Sequence, residues 1–145
     1  MARRATDIPI LTSLTVEPIS ADLLSQEVAS RASGAIVTFS GNVRDHDHGK
    51  PVESLRYEIH PSSAAVLVET VREVASRHDI TGIALAHRYG EIAIGETAFA
   101  VAVAAAHRDE AFLTCAELVD EIKAKIPIWK HQLFSDGTDE WVNCA

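Results

Sequence analysis

The sequence predicts an α+β fold, and three observations carry that prediction. Several short runs alternate apolar and polar residues with a period of two. Three other runs repeat apolar residues at three- and four-residue spacing. The two kinds of run do not alternate strictly, as they would in a parallel α/β sheet. With 145 residues, 47% of them hydrophobic and 23% charged, the chain suits one domain, 1–145, whose core needs no disulfide or metal.

Each element has a local reason. Ile10 to Val16 reads as a first strand. Ser20 can cap a short helix through Ala29, with Leu23, Leu24 and Val28 facing inward. "GAIVTFSGNVR" (Gly34 to Arg44) is a second strand, followed by a loop, "DHDHGKP", rich in glycine, aspartate and histidine. "SLRYEI" alternates as a half-buried strand does. An amphipathic helix is expected from Ser62 to about His78, burying Ala65, Val68, Val71 and Ala75. Strands follow at Ile83 to His87 and Thr97 to Ala106, joined through "RYGEIAIGE". The second is two-faced: Phe99, Val101 and Val103 project one way, and Ala98, Ala100, Ala102 and Ala104 the other. The alanine face admits close approach of a helix or a second sheet. A third helix runs from about Asp109 to Lys125, burying Phe112, Cys115, Val119, Ile122 and Ile126, and Pro127 stops it. The chain closes with a strand, an Asp136-Gly137 turn and a short strand around Trp141.

Composition excludes some functions. A net charge of −8 leaves no broad basic surface for nucleic acid or an anionic membrane, so an anionic ligand requires a local basic cluster. No window reaches the roughly 18 apolar residues of a membrane span. No sustained apolar stretch follows Arg3-Arg4, so an export signal is not expected and the cytosol is. Cys115 and Cys144 form no CxxC, which agrees with a reducing compartment.

Three basic elements stand out. His107-Arg108 lies between a strand and a helix N-terminus, where backbone N–H groups favour an anion. The plainer reading is a surface pair with Arg108 bonded to Asp109 or Glu110. Lys123 lies at the edge of the third helix's buried stripe, whereas Lys125 has an i−4 partner in Glu121. Asp120 could equally hold Lys123 on the surface. In "IPIWKHQLF", Ile128, Lys130 and Gln132 share one strand face, and Trp129, His131 and Leu133 the other. Pro127 turns the chain so that Lys123 and Lys130 could meet. Arg44 is the third element, after Gly41, Asn42 and Val43. His46 and His48 have no further ligand at metal-site spacing, so no metal is expected.

The segments "TFSGNVRDHDHG", "LRYEIHPSSA", "AHRYGEIAIGE", "AVAAAHRDEAF", "IKAKIPIWKHQ" and "DGTDEWV" follow one another in an order and spacing that resemble the large, catalytic subunit of molybdopterin synthase. The resemblance covers roughly residues 30 to 142, and the ordered set ending in PIWK is its most specific part. It implies an α/β hammerhead-like fold with an additional antiparallel β region, and a homodimer. It also implies a small ubiquitin-like sulfur-carrier partner, giving a heterotetramer. The carrier's C-terminal thiocarboxylate would deliver sulfur to cyclic pyranopterin monophosphate, building the dithiolene of molybdopterin without a cofactor. The family's substrate contacts fall on Asn42, Val43, Arg44, His107, Arg108, Lys123, Lys130, His131 and Gln132. Lys123 and Lys130 are the catalytic candidates, with Lys123 the more chemical and Lys130 the substrate-orienting one. Many family members continue past the "WV" pair into a charged tail that reaches the partner subunit's pocket; here Asn143-Cys144-Ala145 follows. Two other readings compete: a persulfide enzyme using Cys115 or Cys144, and a non-catalytic module that binds a ubiquitin-like tail.

Overall fold

The computed structural model describes residues 8–143. Its elements are β1 (Ile10–Thr15), α1 (Ala21–Val28), β2 (Ala35–Asn42), β3 (His46–Asp47), β4 (Lys50–Ile59), α2 (Ser63–Ala75), β5 (Gly82–Arg88), β6 (Gly90–Ile92), β7 (Thr97–Ala105), α3 (Arg108–Lys125), β8 (Ile128–Phe134) and β9 (Asp139–Asn143). One sheet has the order β1-β5-β7-β2, in which β1 and β5 are parallel and the other pairs antiparallel. A second, antiparallel sheet has the order β3-β4-β8-β9, with β6 also paired to β4. The expected α+β class and the additional antiparallel region are both present.

The two faces of β7 organise the packing. Its alanine face receives α1: Val28, Ala84, Ala102 and Ala104 form a small buried cluster with Leu24 against it. With only methyl groups on the sheet, the helix can approach closely. The opposite face carries Phe99, Val101 and Val103 into the main core, with Leu67, Val71 and Val74 of α2 and Leu118 and Ile122 of α3. Burying such a side chain contributes roughly 1.5–3 kcal/mol each, which fixes α3 and hence the residues at its two ends. No helix among the described residues is long and apolar enough to cross a membrane.

Several helical phases differ from expectation. Ser20 caps α1 as expected, its hydroxyl accepting from the Leu23 N–H at 3.3 Å, but the Leu23 side chain is 60% exposed. In α2 the buried arc is Ser63, Leu67, Thr70, Val71, Val74 and Ala75; Ala65 is exposed and Val68 only half-buried. The run Ala64 to Val68 is apolar all round, so periodicity cannot choose its inner face; packing selects the larger Leu67. Thr70 is buried because its hydroxyl donates to the Val66 carbonyl at 2.8 Å. In α3, Ala111, Thr114, Cys115, Leu118 and Ile122 face inward, and Phe112, one residue out of phase, is 60% exposed.

The expected Asp45–Pro51 loop is mostly a hairpin. β3 pairs with the start of β4 across His48-Gly49, whose φ values of 52° and 73° are those a two-residue hairpin turn requires. Likewise, part of the "RYGEIAIGE" connection is strand β6, with Leu55 opposite Ile92.

Candidate active site

The α3–β8 turn brings the two candidate lysines to one end of the molecule. Ile122 and Ile126 anchor the last turn of α3 in the core, and Ile128 anchors the start of β8. Between them the Pro127 carbonyl accepts from the Ser63 hydroxyl at 3.0 Å and from the His60 N–H at 3.2 Å, tying the turn to the start of α2. Lys125 pairs with Glu121 at 2.9 Å, as its spacing predicts, and with Glu73 of α2 at 3.4 Å.

Lys130 and Gln132 share one face of β8, opposite Tyr57 and Leu55 of β4. Both reach the same carboxylate, that of Asp47 in the hairpin. Gln132 is 2% exposed, and its amide donates to Asp47 Oδ2 at 2.7 Å. Lys130 Nζ lies 3.7 Å from that oxygen. On the other side, an Arg44 guanidinium nitrogen donates to Asp47 Oδ1 at 3.3 Å, and the His48 N–H donates to Oδ1 at 3.0 Å. The Gln132 hydrogen bond, helped by the charge of Lys130, holds the Asp47 carboxyl below the usual carboxylate range against the opposing effect of burial. Two cations thus share this one carboxylate.

Lys123 is exposed on the last turn of α3. Its charge acts on His87, which is 3% exposed and pushed down to about 4, first by burial and further by Lys123; its bond to the Arg88 carbonyl opposes both. His87 Nδ1 lies 2.7 Å from that carbonyl oxygen, which can only accept. The ring proton is therefore on Nδ1. The His87 ring stacks on Phe99 and meets the Tyr57 ring edge-on, each at 5.2 Å between centroids. Tyr57 is the cross-strand neighbour of Lys130.

The other expected contacts divide. Asn42 lies at the same end, at the β2 irregularity, its side-chain oxygen accepting from Ser40 at 3.0 Å and Thr97 at 2.9 Å. Val43 is 4% exposed, and its backbone N–H and C=O are bonded to Glu96 and Gly95, so its side chain belongs to the core. His131 points to the opposite face of β8, bonded to Asp139 at 2.8 Å and stacked on Trp141 at 4.3 Å. His107 and Arg108 are exposed at the N-terminus of α3. At 1.5 Å per residue, Arg108 is roughly 22 Å from Lys123 along the helix. The sheet agrees: Thr97 at one end of β7 pairs with Asn42, and Ala105 at the other pairs with Ala35. Within one chain, then, Arg44, Lys123, Lys130 and Gln132 gather at one end, and His107 and Arg108 stand at the other.

Sequence reasoning missed Asp47, Tyr57 and His87. The only signal for Asp47 was an acid just before a His-Gly turn among basic residues. His46 lies 2.8 Å from Asp45 and His48 3.3 Å from Glu140. Cys115 is 4% exposed, and burial pushes its thiol up to about 11, so it is not a thiolate at neutral pH. Cys144 lies outside the described residues. An open groove of about 810 Å3 along α2, lined by Ala64, Ala65 and Val68, shares no residue with the charged cluster.

Comparison with known proteins meets the same reading. The molybdopterin synthase catalytic subunit of Pyrococcus abyssi (strain GE5 / Orsay) is 40% identical over 116 residues, 79% of this chain and 78% of that one. Molybdopterin synthase catalytic subunit 1 of Mycobacterium tuberculosis is 37% identical over 130 residues, 89% of this chain and 88% of that one. The crystal structure of molybdopterin synthase from Staphylococcus aureus superposes with a TM-score of 0.83 at 28% identity, covering 90% of this chain and 95% of that one. The family model described as MoaE protein matches residues 14–125, well over half of the chain, and this chain belongs to that family.

Proposed function

We propose that this chain is the catalytic subunit of a molybdopterin synthase. It transfers sulfur from the C-terminal thiocarboxylate of a small ubiquitin-like carrier to cyclic pyranopterin monophosphate, forming molybdopterin. The observation that carries this reading is the gathering of Arg44, Lys130 and Gln132 around one carboxylate, at the end of the sheet where α3 brings Lys123. A locally basic site on a chain of net charge −8 suits an anionic substrate and an anionic sulfur donor. Arg44 supplies charge-assisted hydrogen bonds to the phosphate and polar ring edges. Lys130 orients the substrate. Lys123 stabilises charge or donates a proton where oxygen leaves carbon as sulfur attaches. Water then releases the carrier as a carboxylate. No electron is exchanged, so the reaction calls for no redox cofactor.

The relatives are named as catalytic subunits, which supports a second, carrier subunit as partner. We also infer a homodimer, two chains and two carriers forming a heterotetramer in the cytoplasm. The separation of roughly 22 Å supports it: His107 and Arg108 can join Lys123 at one substrate only if a second copy supplies them. Mixing tests this. Co-expressed chains carrying Lys123→Ala and Arg108→Ala, purified through two tags, should regain up to about half of wild-type activity, because one of the two shared sites is intact. No recovery above either single variant would mean that each site is built within one chain.

The reaction itself is tested by incubating the chain with thiocarboxylated carrier and the pterin precursor. Molybdopterin should form; carrier binding without product would instead identify a non-catalytic tail-binding module. A Cys115→Ala, Cys144→Ser double variant should retain sulfur transfer within about threefold of wild type, because neither thiol enters the proposed chemistry. Near-complete loss in a folded variant would favour a persulfide enzyme.

A further inference from the structure

Among the described residues, Asp47 is the one carboxylate that touches Arg44, Lys130 and Gln132 together, and its side chain is only 15% exposed. An acid in an anion site is counterproductive for binding, since it repels the ligand and occupies the cations. Its position is nevertheless built with care. The positive φ of His48 and Gly49 closes a two-residue turn, the His48 N–H fixes Oδ1, and a buried amide, that of Gln132, is spent on Oδ2. Gln132 lies 85 positions away in sequence, on the strand that carries Lys130. A carboxylate so supported stays ionised, and it pairs with both cations, Arg44 at 3.3 Å and Lys130 at 3.7 Å.

On the reading of this site as the sulfur-transfer centre, we propose that Asp47 is an internal counter-ion. It positions Lys130 and Arg44 for the reacting geometry, and it competes with the substrate's anionic group for them. With Asp47 in place, Lys130 is directed by a fixed partner and not by whichever substrate oxygen is nearest. Without that charge, Lys130 and Arg44 collapse onto the bound anion. Ground-state binding tightens, and the lysine is lost from the geometry in which transfer occurs.

The test is Asp47→Asn, which keeps the shape and an acceptor for Gln132 but removes the charge; Asp47→Ser is the second variant should the first not fold. Steady-state sulfur transfer with thiocarboxylated carrier should show the precursor KM falling at least about threefold and kcat falling at least about tenfold. The melting temperature should fall modestly, by what the ionised carboxylate lends the fold. A merely structural aspartate would show that fall together with a raised KM. A KM that is unchanged or raised, or a kcat within about twofold of wild type, overturns the proposal. Inorganic phosphate, titrated calorimetrically without carrier, should bind the Asn variant more tightly than the wild-type chain; equal or weaker binding also overturns it. That arm needs no sulfur transfer. A wild-type chain that makes no molybdopterin would defeat the reading of the reaction, while the phosphate comparison would still decide the role of Asp47.

Discussion

Replacing Lys123 by alanine should slow single-turnover sulfur transfer at least about tenfold, equivalent to ~1.4 kcal/mol in the barrier. Folding and carrier affinity should stay near wild type. Lys123 is exposed on the final turn of α3, and the anchoring there is done by Ile122 and Ile126, which are 1% and 3% exposed. Removing the ammonium therefore takes away charge at the site and little packing. Lys125 is the internal control. It lies two residues on in the same turn but is engaged by Glu121 and Glu73, with Glu121 chiefly holding its ammonium above the usual range. Lys125→Ala should leave transfer within about twofold of wild type. Melting temperature, carrier affinity and single-turnover conversion, measured on both variants, separate chemistry from stability. Equal damage to turnover from the two would mean that the faces of α3 are wrongly assigned.

Acid should destabilise the fold well above the ordinary carboxylate range, and His87 is the reason. Its folded-state value is pushed from 6.5 down to about 4, chiefly by burial among Phe99 and Tyr57. Between those values the unfolded chain takes up a proton that the folded chain refuses, so stability rises with pH across the window and falls as pH drops through it. The contribution is complete above about pH 6.5 and has been lost by about pH 4, a change of about 3 kcal/mol. Urea unfolding at half-unit steps from pH 4 to 7 measures it. His87→Gln should remove up to about 1.4 kcal/mol per pH unit from the slope, one proton's worth. An unchanged slope in that variant would sink the assignment. Asp47 and Asp136 add acid lability of the same sign at lower pH, since both are held below the ordinary carboxylate value.

What the chain determined by itself was local. The Ser20 cap, the two-faced β7, the Pro127 stop, the Lys125–Glu121 pair and the split of β8 into a Lys130 face and a His131 face each depend on residues a few positions apart. Helical and strand periods encode such relations directly. The basic residues were legible for the same reason, as cations beside a strand end, a loop or a helix end.

Tertiary structure decided the rest. No period distinguishes Leu23 or Phe112, both 60% exposed, from their buried neighbours, because which arc of a largely apolar helix faces inward depends on what packs against it. Asp47 meets Gln132 only through the pairing of β4 with β8 and the folding back of the β3 hairpin, and sheet register is not written in either segment alone. The length of α3 separates Arg108 from Lys123, although both are basic residues of the same helix. Residue chemistry was therefore readable from sequence, whereas the distances that turn chemistry into a site were set by register and packing across the whole fold.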